Sequence, residues 1–572
     1  MRWLLHVVLL GIIVFSADAD NKPQHNTFQA LCYHNVVDVI TDPDISNITT
    51  DQLIAHFKWL KQNGYSVVSI DDIIQAKAGK KNLPEKAVLL TFDDGYSSFY
   101  TRIYPLLKLY NYPAVYGVVG KWLEAPLDKS FLYGNTTKSR NILLTWEQIK
   151  EMTDSGLIEI ASHSYNAHYG TLANPQGNTR PFYTTLMFND DTQRYESEHA
   201  YVQRVERDIK QSSDTLFKHT GTRPRVMLWP FGAYNYIVQE LAQKYGMTIT
   251  ATLDNGTNTP DNLSAIKRIL IGNNADFDDF IWGAIRSYQP DPQRALYVTL
   301  DEIYSDDANI TEQNLGTLIE KIRTFGANHI FVKAFADTDG DGLADMLYFP
   351  NNTLPVRADL LGRALWQIKQ RTGVTYVHAW LPLSAFEINN RPLSLHRLDD
   401  KNQIQNIYYA MAKQSFFQGI LLDNSYPNHY RSDTLIDFAA AIKESMKYFA
   451  RNHQTSLLLQ ADNPLLNQRD QLAMLLNSFD YTVVDTGAQL SSSKALLQRL
   501  DTLNITADAL KHIALKFHEK AYAQHTIARY MKHMELYGAM NFGYESRRYL
   551  NKKHLASEVI RIFSLKNNPY EK

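Results

Sequence analysis

The sequence predicts two α/β domains in series, the first built on a largely parallel sheet and the second a (β/α)8 barrel of TIM type. Three observations lead there. From Asn26 to about Ile285, short β-like runs alternate with helical stretches. Gln289-Pro290-Asp291-Pro292-Gln293 breaks the alternation with turn-forming residues. A second alternating series then supplies seven or eight units in about 280 residues, which is the size and rhythm of such a barrel. A chain of 572 residues also exceeds one ordinary domain.

The runs expected as strands in the first domain are Phe28 to Tyr33, Tyr65 to Ile70, Ala87 to Phe92, Ala114 to Val119, Leu157 to Ala161 and Val226 to Trp229. A parallel sheet gathers its ligands beyond the carboxyl ends of its strands. In the second domain the expected runs are Ala295 to Leu300, His329 to Phe335, Val374 to Trp380, Gly419 to Leu422, Ser456 to Leu459, Tyr481 to Val484 and Ala539 to Phe542. Acidic or aromatic residues stand at their ends: Asp301, Asp337, Trp380, Asp423, Asp462 and Asp485. A barrel would bring those positions to one face. No internal repeat suggests a solenoid.

Composition fits globular domains with ample core, at 44% hydrophobic and 21% charged residues. The 34 Tyr and 8 Trp suit β-rich cores and would also suit stacking on sugar rings. A formal net charge of −2 without a basic tract gives a nucleic-acid partner no electrostatic support. Arg2, the apolar run Trp3 to Phe15 and the small residues Ser16-Ala17-Asp18-Ala19 read as an export signal over residues 1–19. No second apolar run is long enough to span a membrane. The single cysteine, Cys32, excludes intramolecular disulfides. It lies beyond the apolar run, so it reads as a small buried residue and not as a lipid-bearing cysteine.

The chemistry lies in Thr91-Phe92-Asp93-Asp94-Gly95, directly after the apolar run Ala87-Val88-Leu89-Leu90. Asp-Asp-Gly alone is an ordinary turn, and two histidines five apart are an ordinary pair in a chain with 18 His. Together with His163-Ser164-Tyr165-Asn166-Ala167-His168 after a second apolar run, they supply one carboxylate and two imidazoles, the ligand set of an open catalytic metal site. A divalent ion on Asp94, His163 and His168 would acidify a water, and Asp93 would be its general base. That donor set suits zinc, nickel, cobalt or iron. The turn Trp229-Pro230-Phe231-Gly232 is expected to offer the Phe231 N–H to an oxyanion, and Arg225 to orient Asp93 through a charge-assisted pair.

These motifs, with Arg225 to Gly232, resemble the first three motifs of the NodB-type polysaccharide deacetylases, carbohydrate esterase family four. Ala87 to Tyr96, Asn174-Pro175-Gln176-Gly177-Asn178, Trp229 to Asn235 and Ala334 to Gly342 resemble, more narrowly, the two-domain poly-β-1,6-N-acetylglucosamine N-deacetylases of bacterial biofilm systems. The resemblance implies a circularly permuted, deformed (β/α) barrel over residues 26–286, a linker at 287–293 and a glycoside-hydrolase-like (β/α)8 barrel over 294–572 that binds the polymer. It implies that His34 in Tyr33-His34-Asn35 is the general acid. It also implies a periplasmic place and an outer-membrane porin that takes over the polymer. Phe231 stands where the wider esterase family has tyrosine, which a main-chain donor tolerates.

In the second domain Asp301, Asp337, Trp380 and Asp423 are the expected polymer-binding residues. Asp423-Asn424-Ser425 stands where family members carry an acidic pair, and glycosidases generally need two carboxyls at a set separation. The expectation is therefore binding of deacetylated polymer without efficient cleavage. Asp337-Thr338-Asp339-Gly340-Asp341-Gly342 imitates the start of an EF-hand loop, but Tyr348 stands where a bidentate glutamate is required.

Overall fold

The computed structural model describes residues 26–41, 46–134, 136–272, 277–281, 291–426, 430–450, 453–487, 503, 506–519, 523–536, 538–546, 548–551 and 557–564. The expected export signal at 1–19 and the linker residues 287–290 lie outside them.

The first domain is a curled parallel sheet. Its strands run, in spatial order, Ile249–Ala251, Val226–Leu228, Ile158–Ser162, Ala114–Val118, Ala87–Phe92, Phe28–Tyr33 and Ile269–Leu270, and Ser66–Val67 also pairs with Ala87–Phe92. Ala87–Phe92 is buried along its whole length, as a strand covered on both faces must be. The expected strand over Tyr65 to Ile70 is cut short because Ser69 and Asp72 form a capping box that starts the helix Ile70–Lys77. Ile249–Ala251 and Ile269–Leu270 are only three and two residues long, too short to show period-two alternation in the sequence.

The second domain is a closed parallel barrel of Arg294–Thr299, His329–Lys333, Tyr376–Pro382, Gly419–Asp423, Gln454–Gln460, Tyr481–Asp485, Ile513–His518 and Asn541–Glu545. Arg294 pairs with Phe542 to close the ring. Ile513–His518 is the strand missing from the sequence reading, because Lys516 interrupts its apolar run. Asn541–Glu545 starts two residues later than expected.

The two domains meet through a segment inserted after His168. The turn around Asn174 to Asn178 joins strands Gly170–Leu172 and Thr179–Pro181 and reaches across to the barrel. The Gln176 amide donates to Asp359 O (2.7 Å), Arg180 donates to Gln414 O (3.0 Å) and Trp366 donates to Thr179 O (2.9 Å). Glu198 accepts from Tyr409 (2.6 Å) and Lys413 (2.9 Å).

At the opposite end of the barrel from the strand-end acids, His329 Nδ1 lies 2.9 Å from His378 Nε2, with both rings buried. Burial pushes His329 down to about 3 and His378 well below the ordinary histidine value. Unfolding lets both rings protonate near pH 6.5, so this stability is complete above that pH and is lost as pH falls toward 3. One unit of depression corresponds to about 1.4 kcal/mol. Thermal unfolding from pH 7 to pH 4 should show a falling Tm, and His329→Gln should flatten that fall; a variant with the wild-type slope would contradict it.

Candidate active site

The three motif turns meet at the carboxyl ends of Ala87–Phe92, Ile158–Ser162 and Val226–Leu228. Asp94 Oδ1 lies 3.4 Å from His163 Nε2 and 3.3 Å from His168 Nε2, and all three side chains are buried. His163 Nδ1 lies 2.6 Å from Leu228 O. In the neutral ring Nδ1–H therefore donates to that carbonyl, which leaves the Nε2 lone pair facing the carboxylate. Neither Asp94 Oδ1 nor His163 Nε2 has a hydrogen-bond partner, and buried polar atoms are rarely left so. Orphaned atoms of one carboxylate and one imidazole, converging with a second imidazole, fit a divalent ion.

Asp93 lies beside Asp94 but is held differently. Arg268, fully buried, bridges its two oxygens at 2.8 and 2.9 Å and also donates to Thr252 O (3.0 Å) and Thr91 Oγ1 (3.2 Å). Burial alone would raise the Asp93 carboxyl, but Arg268 and His163 outweigh it and hold it below the ordinary aspartate value. Burial also opposes ionisation of Asp94, and His168 and His163, when protonated, overcome it and keep that carboxyl well below the carboxylate range.

His34 stands at the exit of Phe28–Tyr33, and its ring reaches the neighbourhood of Asp93 and Cys32. Cys32, His34 and Asp93 thus form a second trio of potential ligands. It is the poorer one. Both Asp93 oxygens are engaged by Arg268, and burial pushes the Cys32 thiol up, away from the thiolate a metal requires.

Arg225 does not orient Asp93, contrary to expectation. It pairs with Glu159 (2.7 Å) and Asp71 (2.8 Å), because its place at the entry of Val226–Leu228 puts it at the other end of the sheet. Phe231 is at the site: its φ is +59°, its side chain is 45% exposed, and its ring centroid lies 4.5 Å from that of His168.

Sequence reasoning missed three residues. Arg268 was visible only as the second of two basic residues, Lys267 and Arg268, between Ile266 and Ile269. Buried Asp208, on the helix Glu198–Thr220, accepts from the backbone N–H of Tyr165 (3.1 Å) and Asn166 (2.7 Å) and from Tyr183 OH (2.5 Å), so it pins the loop between the two histidines. Tyr133 donates to Asp94 Oδ2 (2.7 Å).

At the barrel mouth the structure brings Trp380 and Asp423 together, with Trp380 Nε1 donating to Asp423 Oδ2 (2.8 Å). Lys516 lies 4.7 Å from the Trp380 ring and pairs with Asp485 (3.0 Å) and Glu545 (2.6 Å); His518 reaches the same two acids at 2.6 and 3.2 Å. Burial would lower the Lys516 amine, but Glu545 and Asp485 hold it above the ordinary lysine value. Asp301 instead accepts from Tyr348 (2.7 Å) and Arg357 (2.9 Å). Asp337 accepts from the backbone of its own loop at Gly340 (2.7 Å) and Gly342 (3.0 Å).

The chain is similar to several known proteins. The polysaccharide deacetylase family model matches residues 80–250, and a model described as hypothetical glycosyl hydrolase family 13 matches 297–398. A poly-beta-1,6-N-acetyl-D-glucosamine N-deacetylase of Escherichia coli K12 is 36% identical over 425 residues, covering 70% of this chain and 63% of the relative. One from Staphylococcus epidermidis is 28% identical, covering 45% of this chain and 85% of the relative. The solved structure of a de-N-acetylase from Aggregatibacter actinomycetemcomitans is 40% identical with a TM-score of 0.42, covering 44% of this chain and 98% of that one. The chain thus spans a little under two thirds of the length of the Escherichia coli relative.

Chelator-stripped protein should take up one divalent ion per chain in equilibrium dialysis. Asp94→Ala and His163→Ala should each weaken uptake by more than the roughly 10- to 100-fold typical of losing an outer-shell partner. Cys32→Ala should leave it intact; the reverse pattern would move the ion to the other trio.

Proposed function

We propose that this chain, which is 36% identical over 425 residues to a poly-beta-1,6-N-acetyl-D-glucosamine N-deacetylase and matches a polysaccharide deacetylase model over residues 80–250, hydrolyses N-acetyl groups from that polymer. The observation that carries this reading is the division of labour between neighbouring carboxylates. Asp93 is tethered by Arg268, and Asp94 faces two imidazoles with an orphaned oxygen.

The ion, one of zinc, nickel, cobalt or iron, would be held by Asp94, His163 and His168, and when bound supplies Lewis acidity to the acyl oxygen and to a water. The remaining work falls to the chain's own groups. Two Asp93 lone pairs engage Arg268, and a carboxylate has about four acceptor sites, so Asp93 keeps capacity to accept a proton from the attacking water. That water forms the new bond to the acetyl carbon. The Phe231 N–H, held by its left-handed turn, would donate to the oxyanion. His34 would then protonate the amine as the carbon–nitrogen bond breaks, releasing acetate and a glucosamine unit. A groove of about 540 Å³, lined by Asn35, Asn47, Tyr96, Ser98, Arg102 and Lys138, would offer amides and hydroxyls to neighbouring sugars.

The product gains ammonium groups, and the barrel mouth suits it. Asp423, Asp485 and Glu545 outnumber Lys516 there, and the buried Trp380 indole holds Asp423 in place through its Nε1–H. Asp301 and Asp337, on neighbouring barrel loops, would extend that acidic surface. The periplasm as the place of action, and an outer-membrane exporter that takes over the chain, belong to the same proposal. Among the described residues no helix is long and apolar enough to cross a membrane.

Acetate release from β-1,6-linked N-acetylglucosamine oligomers tests the reading. Asp93→Asn should lower kcat by about 10²- to 10⁴-fold, the range for a general base. Arg268→Gln should also lower kcat steeply, while Arg225→Gln should stay near wild type. Equal or faster release from β-1,4 oligomers would reassign the substrate to chitin-like chains or peptidoglycan, and no release with any of the four metals would favour a binding scaffold. For the barrel, Trp380→Ala, which releases Asp423 from its indole donor, should weaken binding of partly deacetylated oligomer by about tenfold, in line with roughly 1.5 kcal/mol or more for a hydrogen bond to a charged group. Unchanged binding would remove the barrel mouth from the account.

A further inference from the structure

The hairpin formed by Ser130–Tyr133 and Thr136–Ser139 stands outside the main sheet, yet it reaches the centre of the site. Its base is fixed by buried Arg140, which donates to Leu123 O (2.9 Å), Leu144 O (2.7 Å) and Leu143 O (3.3 Å). Near its tip, the Tyr133 hydroxyl donates to Asp94 Oδ2 at 2.7 Å. The same ring stacks on His168, with centroids 5.3 Å apart and planes 28° apart. Trp122 backs both rings, at 5.4 Å from Tyr133 and 5.1 Å from His168. Lys138 sits over the Tyr133 ring at 3.9 Å and donates to Tyr96 OH at 3.1 Å. Tyr133 is thus clamped from outside and touches two of the three residues that face the orphaned centre.

The two oxygens of Asp94 are not equivalent. Oδ1 faces both imidazoles and has no hydrogen-bond partner, whereas Oδ2 is occupied by the phenol. A carboxylate oxygen that already accepts a strong hydrogen bond is a weaker ligand, and outer-shell partners orient the ligands they touch. We propose that Tyr133 is a positioning residue for the metal centre, restricting Asp94 to coordination through Oδ1 and fixing the plane of His168. Single-oxygen ligation by Asp94 leaves coordination positions open for water and the acyl oxygen. The inference rests on the metal reading of Asp94, His163 and His168.

The test uses the full chain, stripped with chelator and titrated with Co²⁺ against a competing chelator of known affinity. Tyr133→Phe keeps the ring and removes only the hydroxyl. It should bind Co²⁺ about 10- to 100-fold more weakly, the usual effect of losing an outer-shell partner. Its visible Co²⁺ absorption should also lose intensity, as Asp94 gains freedom to add its second oxygen, while Tm of the metal-free protein is unchanged. Lys138→Met, which loosens the ring from its outer face, should shift both in the same direction by less. Wild-type affinity and spectrum in Tyr133→Phe would overturn the proposal while leaving the metal reading intact. A weakened affinity matched by a destabilised metal-free fold would also overturn it. Failure of the wild-type chain to bind any ion would overturn both.

Discussion

The site depends on the buried ion pair between Arg268 and Asp93. Two adjacent carboxylates, both fully buried, would repel and force one of them to take up a proton. Arg268 prevents this by bridging Asp93 at 2.8 and 2.9 Å. Asp94, freed from that partner, turns toward the imidazoles. Losing one member of a buried pair leaves an uncompensated charge and typically costs about 3–5 kcal/mol, so Arg268 serves the fold as well as the chemistry. Its position follows from topology. The short strand Ile269–Leu270 pairs with Phe28–Tyr33, with Leu31 opposite Ile269, and this lays Arg268 beneath the exit of Ala87–Phe92.

Backbone strain at the motif turns gives the same picture. Asp94, Ser164 and Phe231 all have positive φ, at +81°, +88° and +59°. Non-glycine residues in such conformations cost of order 1–3 kcal/mol each and cluster where function needs them. Each belongs to a different motif, and each redirects the chain just beyond a strand end. Packing holds them there. Asp208 ties down the loop after His163, and Gly232 follows Phe231 where an added Cβ would come within 2.6 Å of Leu253 N. Substituting Gly232 would therefore displace the turn that carries Phe231.

Legibility in the sequence followed locality. Asp93 and Asp94 are adjacent, and His163 and His168 are five apart, each pair just after a recognisable apolar run, so their convergence could be anticipated. The Arg268 contact joins residues 175 apart through strands too short to announce themselves. Arg225 was a natural misreading: it lies four residues before Trp229, but a strand separates its two ends by its full length, and Arg225 sits at the far one. In the barrel, Lys516 hid its own strand by interrupting the apolar run. Its acidic partner Glu545 was lost because Asn541–Glu545 ends three residues beyond the expected run. Asp301 and Asp337 are strand-end acids as expected, but hydrogen bonding to Arg357 and to a local loop is not written in strand periodicity.

The most direct measurement is a crystal structure of the full chain loaded with one transition metal, with the ion located by its anomalous scattering. The arrangement of Asp94, His163 and His168 around orphaned atoms predicts a single ion about 2.0–2.2 Å from Asp94 Oδ1 and the two Nε2 atoms, with Asp93 still bridged by Arg268. An ion seated between Cys32, His34 and Asp93, or one that draws Asp93 away from Arg268, would contradict the separation of roles on which the account stands.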